Sequence, residues 1–255
     1  MNIKRAVVLL IWALFATTIS APAPAADIRI AAAANLEKAL TNSIIPAFEK
    51  ASGDTVTPTF GSTKLLATQL VQGAPIDVFV SADTATVDQL ARQGLVEPAT
   101  EHVYAIGRLV IWTRKDSNLA PRAITDLAGP AYRKIAIANP STAPYGLAAQ
   151  QALASAGITA AVAPKLAQAE NIGQALQFAQ SGNADAALTA LSLVIGDKAD
   201  PYVIVPDKLH APISQSVAVV TASTNQALAK QFEDFLMSKA CRDIWKQYGY
   251  ELPKK

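Results

Sequence analysis

The chain has 255 residues, 51% of them apolar, with 22 Lys and Arg against 20 Asp and Glu for a formal charge of +2. Residues 1–26 hold Lys4 and Arg5 but no acidic residue, so a mature chain starting near Asp27 is formally neutral, which argues against nucleic acid as a partner. Cys241 is the only cysteine, and His102 and His210 lie far apart, so an intrachain disulfide and a thiolate metal cluster are excluded and zinc chemistry has no ligand set.

In chain order the first element is "MNIKRAVVLLIWALFATTISAPAPAA", a basic start, an apolar run short for a membrane span, and small residues of the A-x-A kind. This pattern predicts a secretory signal peptide over residues 1–26, cleaved near Ala25 or Ala26. No cysteine follows the apolar run, so lipid attachment there is excluded, and the expected location is a bacterial periplasm. Short apolar runs then alternate with amphipathic helices: "IRIAAAA" and Leu36 to Lys50, "TVTPTF" and Leu65 to Gln72, "DVFVSA" and Thr86 to Gln93. The series continues with "KIAIAN" and Gly146 to Ser155, then a short strand and Gly173 to Gln180. Such alternation predicts an α/β protein with mainly parallel strands. Gly53, Gly73, Gly94, Gly157 and Gly182 stand where C-terminal caps are needed. "YAIGRLVIW" and "SQSVAVV" read as two long crossover strands between two lobes, the first of residues 27–105 plus 214–255 and the second of residues 106–213.

Ligands of open α/β sheets bind beyond the carboxyl ends of the strands, where helix N-termini point. In "FGSTKLLATQL" the order of glycine, hydroxyls and Lys64 is wrong for a nucleotide-binding loop, but a helix N-terminus with two hydroxyls remains an anion-binding arrangement. Four junctions are of this kind: Asn35, then Ser62 with Thr63, then Tyr145 with Gly146, then Asn171 with Ile172. Each taken alone is explained as well by helix capping or packing. Together they bring no acidic side chain. The sequence contains no G-x-S-x-G, S-x-x-K, H-E-x-x-H or G-x-G-x-x-G, and Asp77 and Asp83 read as a strand-end hydrogen-bonding group and a helix N-cap rather than a catalytic pair.

The succession "AAAANLEKAL", "FGSTKLLATQLVQGAPIDVFVSAD", "YAIGRLVIW", "NPSTAPYGLAAQQAL" and "ENIGQALQFAQSG" resembles the periplasmic molybdate-binding proteins that feed molybdate ABC transporters. The resemblance spans essentially the whole mature chain, with "GAPIDVFVSAD" its most specific piece. It implies a two-lobed periplasmic-binding-protein fold with two crossover strands and an oxyanion enclosed between the lobes. It further implies an inner-membrane ABC permease as partner, a monomer, no resident cofactor, and molybdenum held only as molybdate without direct metal ligands. Carried over position by position, the oxyanion-binding residues are Asn35, Ser62, Thr63, and the backbone NH groups of Tyr145 and Ile172. Many members add a tyrosine hydroxyl at a position that here is Ala190. A subset carries Asn at the first junction and A-P-Y-G at the third, as this chain does, so the Tyr145 phenol is expected to replace the missing donor. Lys64 is read as a solvated first-turn charge. Tungstate is expected to bind as well as molybdate; a carrier of sulfate or another tetrahedral oxyanion and, further off, a secreted hydrolase remain the alternatives.

Overall fold

The computed structural model describes residues 26–196 and 201–254, so the expected signal segment lies outside the described residues except for Ala26. The described strands are β1 (Asp27–Ala33), β2 (Thr55–Gly61), β3 (Val78–Ser81), β4 (His102–Gly107), β5 (Leu109–Trp112), β6 (Ile135–Ala138), β7 (Leu166–Ala169), β8 (Ala186–Ala190), β9 (Tyr202–Ile204) and β10 (Ile213–Val219). β1 alternates at first, with Ile28 and Ile30 buried and Asp27 and Arg29 exposed, and then runs Ala31, Ala32, Ala33 fully inside. The small side chains let helices close over both faces at the strand's carboxyl end, the end that matters for binding.

Two sheets result, in the orders β2-β1-β3-β10-β4 and β7-β6-β8-β5-β9. Strands β1, β2 and β3 are parallel, as are β6, β7 and β8. The chain passes from the first sheet to the second at Arg108, between β4 and β5, and returns through residues 205–212, between β9 and β10. β10 lies wholly in the first sheet, antiparallel to β3 and β4. The molecule is thus the expected two-lobed α/β fold.

The helices follow the alternation and begin one or two residues before the apolar periodicity does. After β1 a helical run covers residues 34–52, with a π-helical turn at Leu40–Ile44. After β2 comes Thr63–Val71, after β3 Thr84–Arg92, after β6 Pro144–Ser155 and after β7 Ile172–Gln180. The earlier starts are set by junction residues that sequence periodicity does not register: Asp83 and Asn171 accept the NH groups of Thr86 and Gln174 at 2.8 and 3.0 Å. At the other ends Gly53, Gly73, Gly94, Gly157 and Gly182 have φ between 71° and 85°, the left-handed cap that a Cβ disfavours.

Asp83 is therefore a cap. Asp77 accepts from the Arg29 NH and the Ser223 hydroxyl at the opposite end of the sheet. His102 pairs with Glu233 at 2.9 Å, and His210 bonds the Ala211 carbonyl at 2.8 Å. None of the four lines the cavity between the lobes.

The C-terminal helices Gln226–Met237 and Lys239–Gln247 pack on the first lobe, where Phe232 meets Phe48 edge-on at 5.0 Å. Trp245 lies between Tyr104 of β4, tilted at 4.9 Å, and Tyr250, edge-on at 5.3 Å between ring centroids. This cluster fixes the C-terminal segment under the cleft. Cys241 lies fully inside the same layer, and burial pushes its thiol up to about 12. The expected result is no labelling of the native protein by a thiol reagent near neutral pH and one thiol per chain in denaturant. Stoichiometric labelling without denaturant would show that the C-terminal helices open.

Candidate functional site

The four strand-to-helix junctions singled out in the sequence, two from each lobe, and a fifth after β3 converge on one small cavity. From the first lobe come Ala33 to Asn35 after β1, Gly61 to Thr63 after β2, and Ala82 after β3. From the second come Ala143 to Tyr145 before the Pro144–Ser155 helix, and Asn171 with Ile172 after β7. All five residues singled out in the sequence, Asn35, Ser62, Thr63, Tyr145 and Ile172, line this cavity. None of its lining residues carries a charge.

What each can offer differs atom by atom. Thr63 opens its helix, and its Oγ1 accepts the Ala82 NH at 3.3 Å, so the hydroxyl hydrogen stays available. Ser62 is otherwise engaged: its hydroxyl donates across the cleft to the Thr142 carbonyl at 2.7 Å, and the Lys64 NH reaches the same oxygen at 3.1 Å. Those two bonds tie the lobes together. The Lys64 side chain is exposed and borders a different hollow, between its own helix and the Thr84–Arg92 helix.

Asn35 is buried, and its amide is oriented by its neighbours. Gln215 Nε2 donates to the Ile213 carbonyl at 2.9 Å and faces the Ala82 carbonyl at 3.5 Å, which turns Gln215 Oε1 toward Asn35. Asn35 Nδ2 therefore donates to Gln215 Oε1 and to Tyr250 Oη, both at 2.8 Å, and both amide hydrogens are consumed within the protein. From the second lobe, the Ser192 hydroxyl donates to the Asn35 carbonyl at 2.7 Å, a third bond between the lobes.

At the third junction Pro144 supplies no NH, and the first-turn NH groups of Tyr145 and Gly146 have no acceptor within their own helix. The Tyr145 ring is buried and its hydroxyl has no hydrogen-bond partner among the described residues. It ends against Gly107, two residues before Leu109, which is the sheet partner of Ala190. Burial first, then the neighbouring Tyr250 and Tyr104, outweigh a lowering by the nearby Asn35 side chain, which is too poorly placed for a hydrogen bond, and hold the phenol well above the ordinary tyrosine range, so it stays a neutral donor. At the fourth junction the Asn171 side chain caps Gln174, leaving the NH groups of Ile172 and Gly173 at the positive end of the helix.

The cavity can thus present NH and OH donors from both lobes and no carboxylate. Sequence reading missed its supports: Gln215, Tyr250, Ser192 and Thr142 bond the lining residues from far along the chain. Only Gln215 leaves a sequence trace, as a polar residue within the apolar "SQSVAVV".

A profile of the bacterial extracellular solute-binding protein family matches residues 28–251. The chain is 35% identical over 246 residues to the molybdate-binding protein ModA of Azotobacter vinelandii, covering 95% of this chain and 97% of the relative. It is 34% identical over 232 residues to the protein of the same name from Rhodobacter capsulatus, covering 90% of each. The solved structure of the Azotobacter vinelandii periplasmic molybdate-binding protein superposes with a TM-score of 0.85 at 32% identity, covering 89% of this chain and 100% of that one.

Proposed function

We propose, for a chain that belongs to the bacterial extracellular solute-binding protein family, that the cleft captures molybdate, and tungstate equally, and hands it to an ABC permease. The observation that carries this reading is the convergence of donors from both lobes on a cavity without a single charged or carboxylate lining residue. Molybdate has no proton at neutral pH, so each of its oxygens can only accept, and a donor-only cavity suits it where a protonated phosphate would also require an acceptor. The relatives named for molybdate binding support the same choice. The chain is a binding protein rather than an enzyme. Periplasmic location, following the signal segment, and a monomeric state complete the reading.

In this site the donors are the Thr63 hydroxyl, the Tyr145 phenol, and the backbone NH groups of Asn35, Tyr145 and Ile172. Asn35 contributes its main chain because its amide hydrogens are taken. Ser62 serves closure, since its hydrogen goes to Thr142. Bonds to a charged partner are worth roughly 1.5–3 kcal/mol each, and each helix terminus adds about 0.3–1 kcal/mol, which offsets desolvation of the dianion.

Calorimetric titration with molybdate, tungstate, sulfate and phosphate tests this directly. Molybdate and tungstate should bind at least about a hundredfold more tightly than sulfate and phosphate, a difference of about 2.7 kcal/mol or more. A preference for sulfate would replace the molybdate reading with a sulfate one, and no binding of any oxyanion would end it.

Two substitutions at adjacent positions should separate sharply. Thr63→Val keeps the shape and removes the donor, so molybdate affinity should fall by about 1.5–3 kcal/mol, whereas Thr63→Ser should retain most of it. Lys64→Ala removes an exposed charge outside the cavity and should change affinity by less than about twofold at physiological salt. Reversal of this order would place the lysine, not the threonine, on the ligand.

A further inference from the structure

We propose that Gln215 is a positioning residue for oxyanion capture, holding the Asn35 and Ala82 junctions in place from beneath while keeping the floor of the cleft free of charge. The inference rests on the oxyanion reading of the cavity. Gln215 is 0% exposed, in the strand that completes the first sheet. An amide so placed is costly unless each of its groups is bonded. Here it is: Oε1 accepts from Asn35, while Nε2 donates to Ile213 and faces the Ala82 carbonyl.

The pairing of β10 with β4 is irregular beside this side chain. Gln215 pairs with Ala105 while Ser216 pairs with Val103, so β4 has one residue more than β10 between the two pairs. Such irregularities re-aim side chains and are common beside binding sites. The Gln215 amide connects the first and third junctions of the first lobe. Its Nε2 also borders Gly107, the residue against which the Tyr145 hydroxyl ends. Loss of the amide removes one of the two bonds that hold Asn35 Nδ2, leaving Tyr250 Oη alone, and loosens a junction that lines the cavity.

Charge is the second part of the inference. Among the described residues, the cavity lining holds no charged side chain, and the ionisable groups beside Gln215 and Asn35 are the buried, neutral tyrosines Tyr104, Tyr145 and Tyr250. A carboxylate near the fourth junction is that of Glu37, beside Gly173. A carboxyl in place of the amide would face the Ile213 and Ala82 carbonyl oxygens out of water, so it would hold its proton above the usual carboxylate range and act there like the amide. As pH rises it would ionise and place a negative charge under the dianion.

The test is calorimetric titration of parent, Gln215→Leu and Gln215→Glu with sodium molybdate at about pH 6 and about pH 8.5, with circular dichroism confirming a folded chain in each case. Gln215→Leu should bind at least about tenfold more weakly at both pH values. Gln215→Glu should lose at least about tenfold in affinity between the lower and the higher pH, where the parent changes by less than about twofold. A merely structural role would not produce that pH profile. Should Gln215→Leu fail to fold, Gln215→Glu decides alone: a pH dependence matching the parent's overturns the inference. Failure of the parent to bind molybdate would instead overturn the oxyanion reading, so the two failures are distinct.

Discussion

Replacing Tyr145 by Phe is expected to weaken molybdate binding by about 1.5–3 kcal/mol, roughly ten- to a hundredfold, while leaving the ligand-free protein at least as stable as the parent. The two effects have opposite signs because of one atom. The Tyr145 hydroxyl is buried without a partner among the described residues, and a buried donor left unmade costs about 1–3 kcal/mol. Phe removes that penalty from the free protein and removes a charge-assisted bond from the complex. The ring, its packing and the backbone NH are retained, so the substitution reports the hydroxyl alone. Thermal melting with and without ligand, together with calorimetry, measures both signs. Unchanged affinity would leave the ligand to Thr63 and the backbone NH groups, and a lower melting temperature of the free variant would mean that the hydroxyl already has a structural partner.

Gly146→Ala should be damaging on both counts. On an open helix surface this exchange stabilises by about 1 kcal/mol. At Gly146 a Cβ would collide with the carbonyl of Ala138 and crowd that of Asn139, which are backbone atoms at the end of β6 and cannot swing aside. The Pro144–Ser155 helix must lift away from the sheet, at a cost of about 1–3 kcal/mol for overpacking, or about 2–4 °C of melting temperature per kcal/mol for a chain of this size. The same displacement moves the Tyr145 NH out of line, so molybdate affinity should drop by more than about tenfold, since hydrogen bonds weaken steeply with misalignment. A variant as stable and as tight as the parent would show that the helix start is softer than its packing implies.

The convergence of Asn35, Thr63, Tyr145 and Ile172 was legible in the sequence because each sits where an apolar strand gives way to a helix, and parallel strands bring such junctions to one edge. The roles of individual atoms were not legible. Whether the Asn35 amide can serve a ligand depends on Gln215 and Tyr250, which are 180 and 215 residues further along the chain, and no local periodicity encodes such partners. Ser62 looked equivalent to Thr63, yet one hydroxyl crosses to the other lobe and its neighbour keeps its hydrogen, a difference created only when the lobes meet. Ala82 was invisible for a related reason: it acts through its main chain, bonding Thr63 with its NH and facing Gln215 with its carbonyl, and an alanine after a strand has no side chain to signal it.

The order β2-β1-β3-β10-β4 has a consequence for the newly made chain. β4 has β10 as its sheet neighbour, yet the whole of the second sheet, from Leu109 to Ile204, is synthesised between them. Until Ile213–Val219 emerges, β3 and β4 each present an unpaired edge to which another chain could add. The second lobe, made of contiguous chain, can assemble as soon as it is complete, while the first waits for its last strand. Loop-closure entropy over that distance makes the final insertion slow. A chain ending before Ile213 would therefore keep an intact second lobe and aggregate through the first.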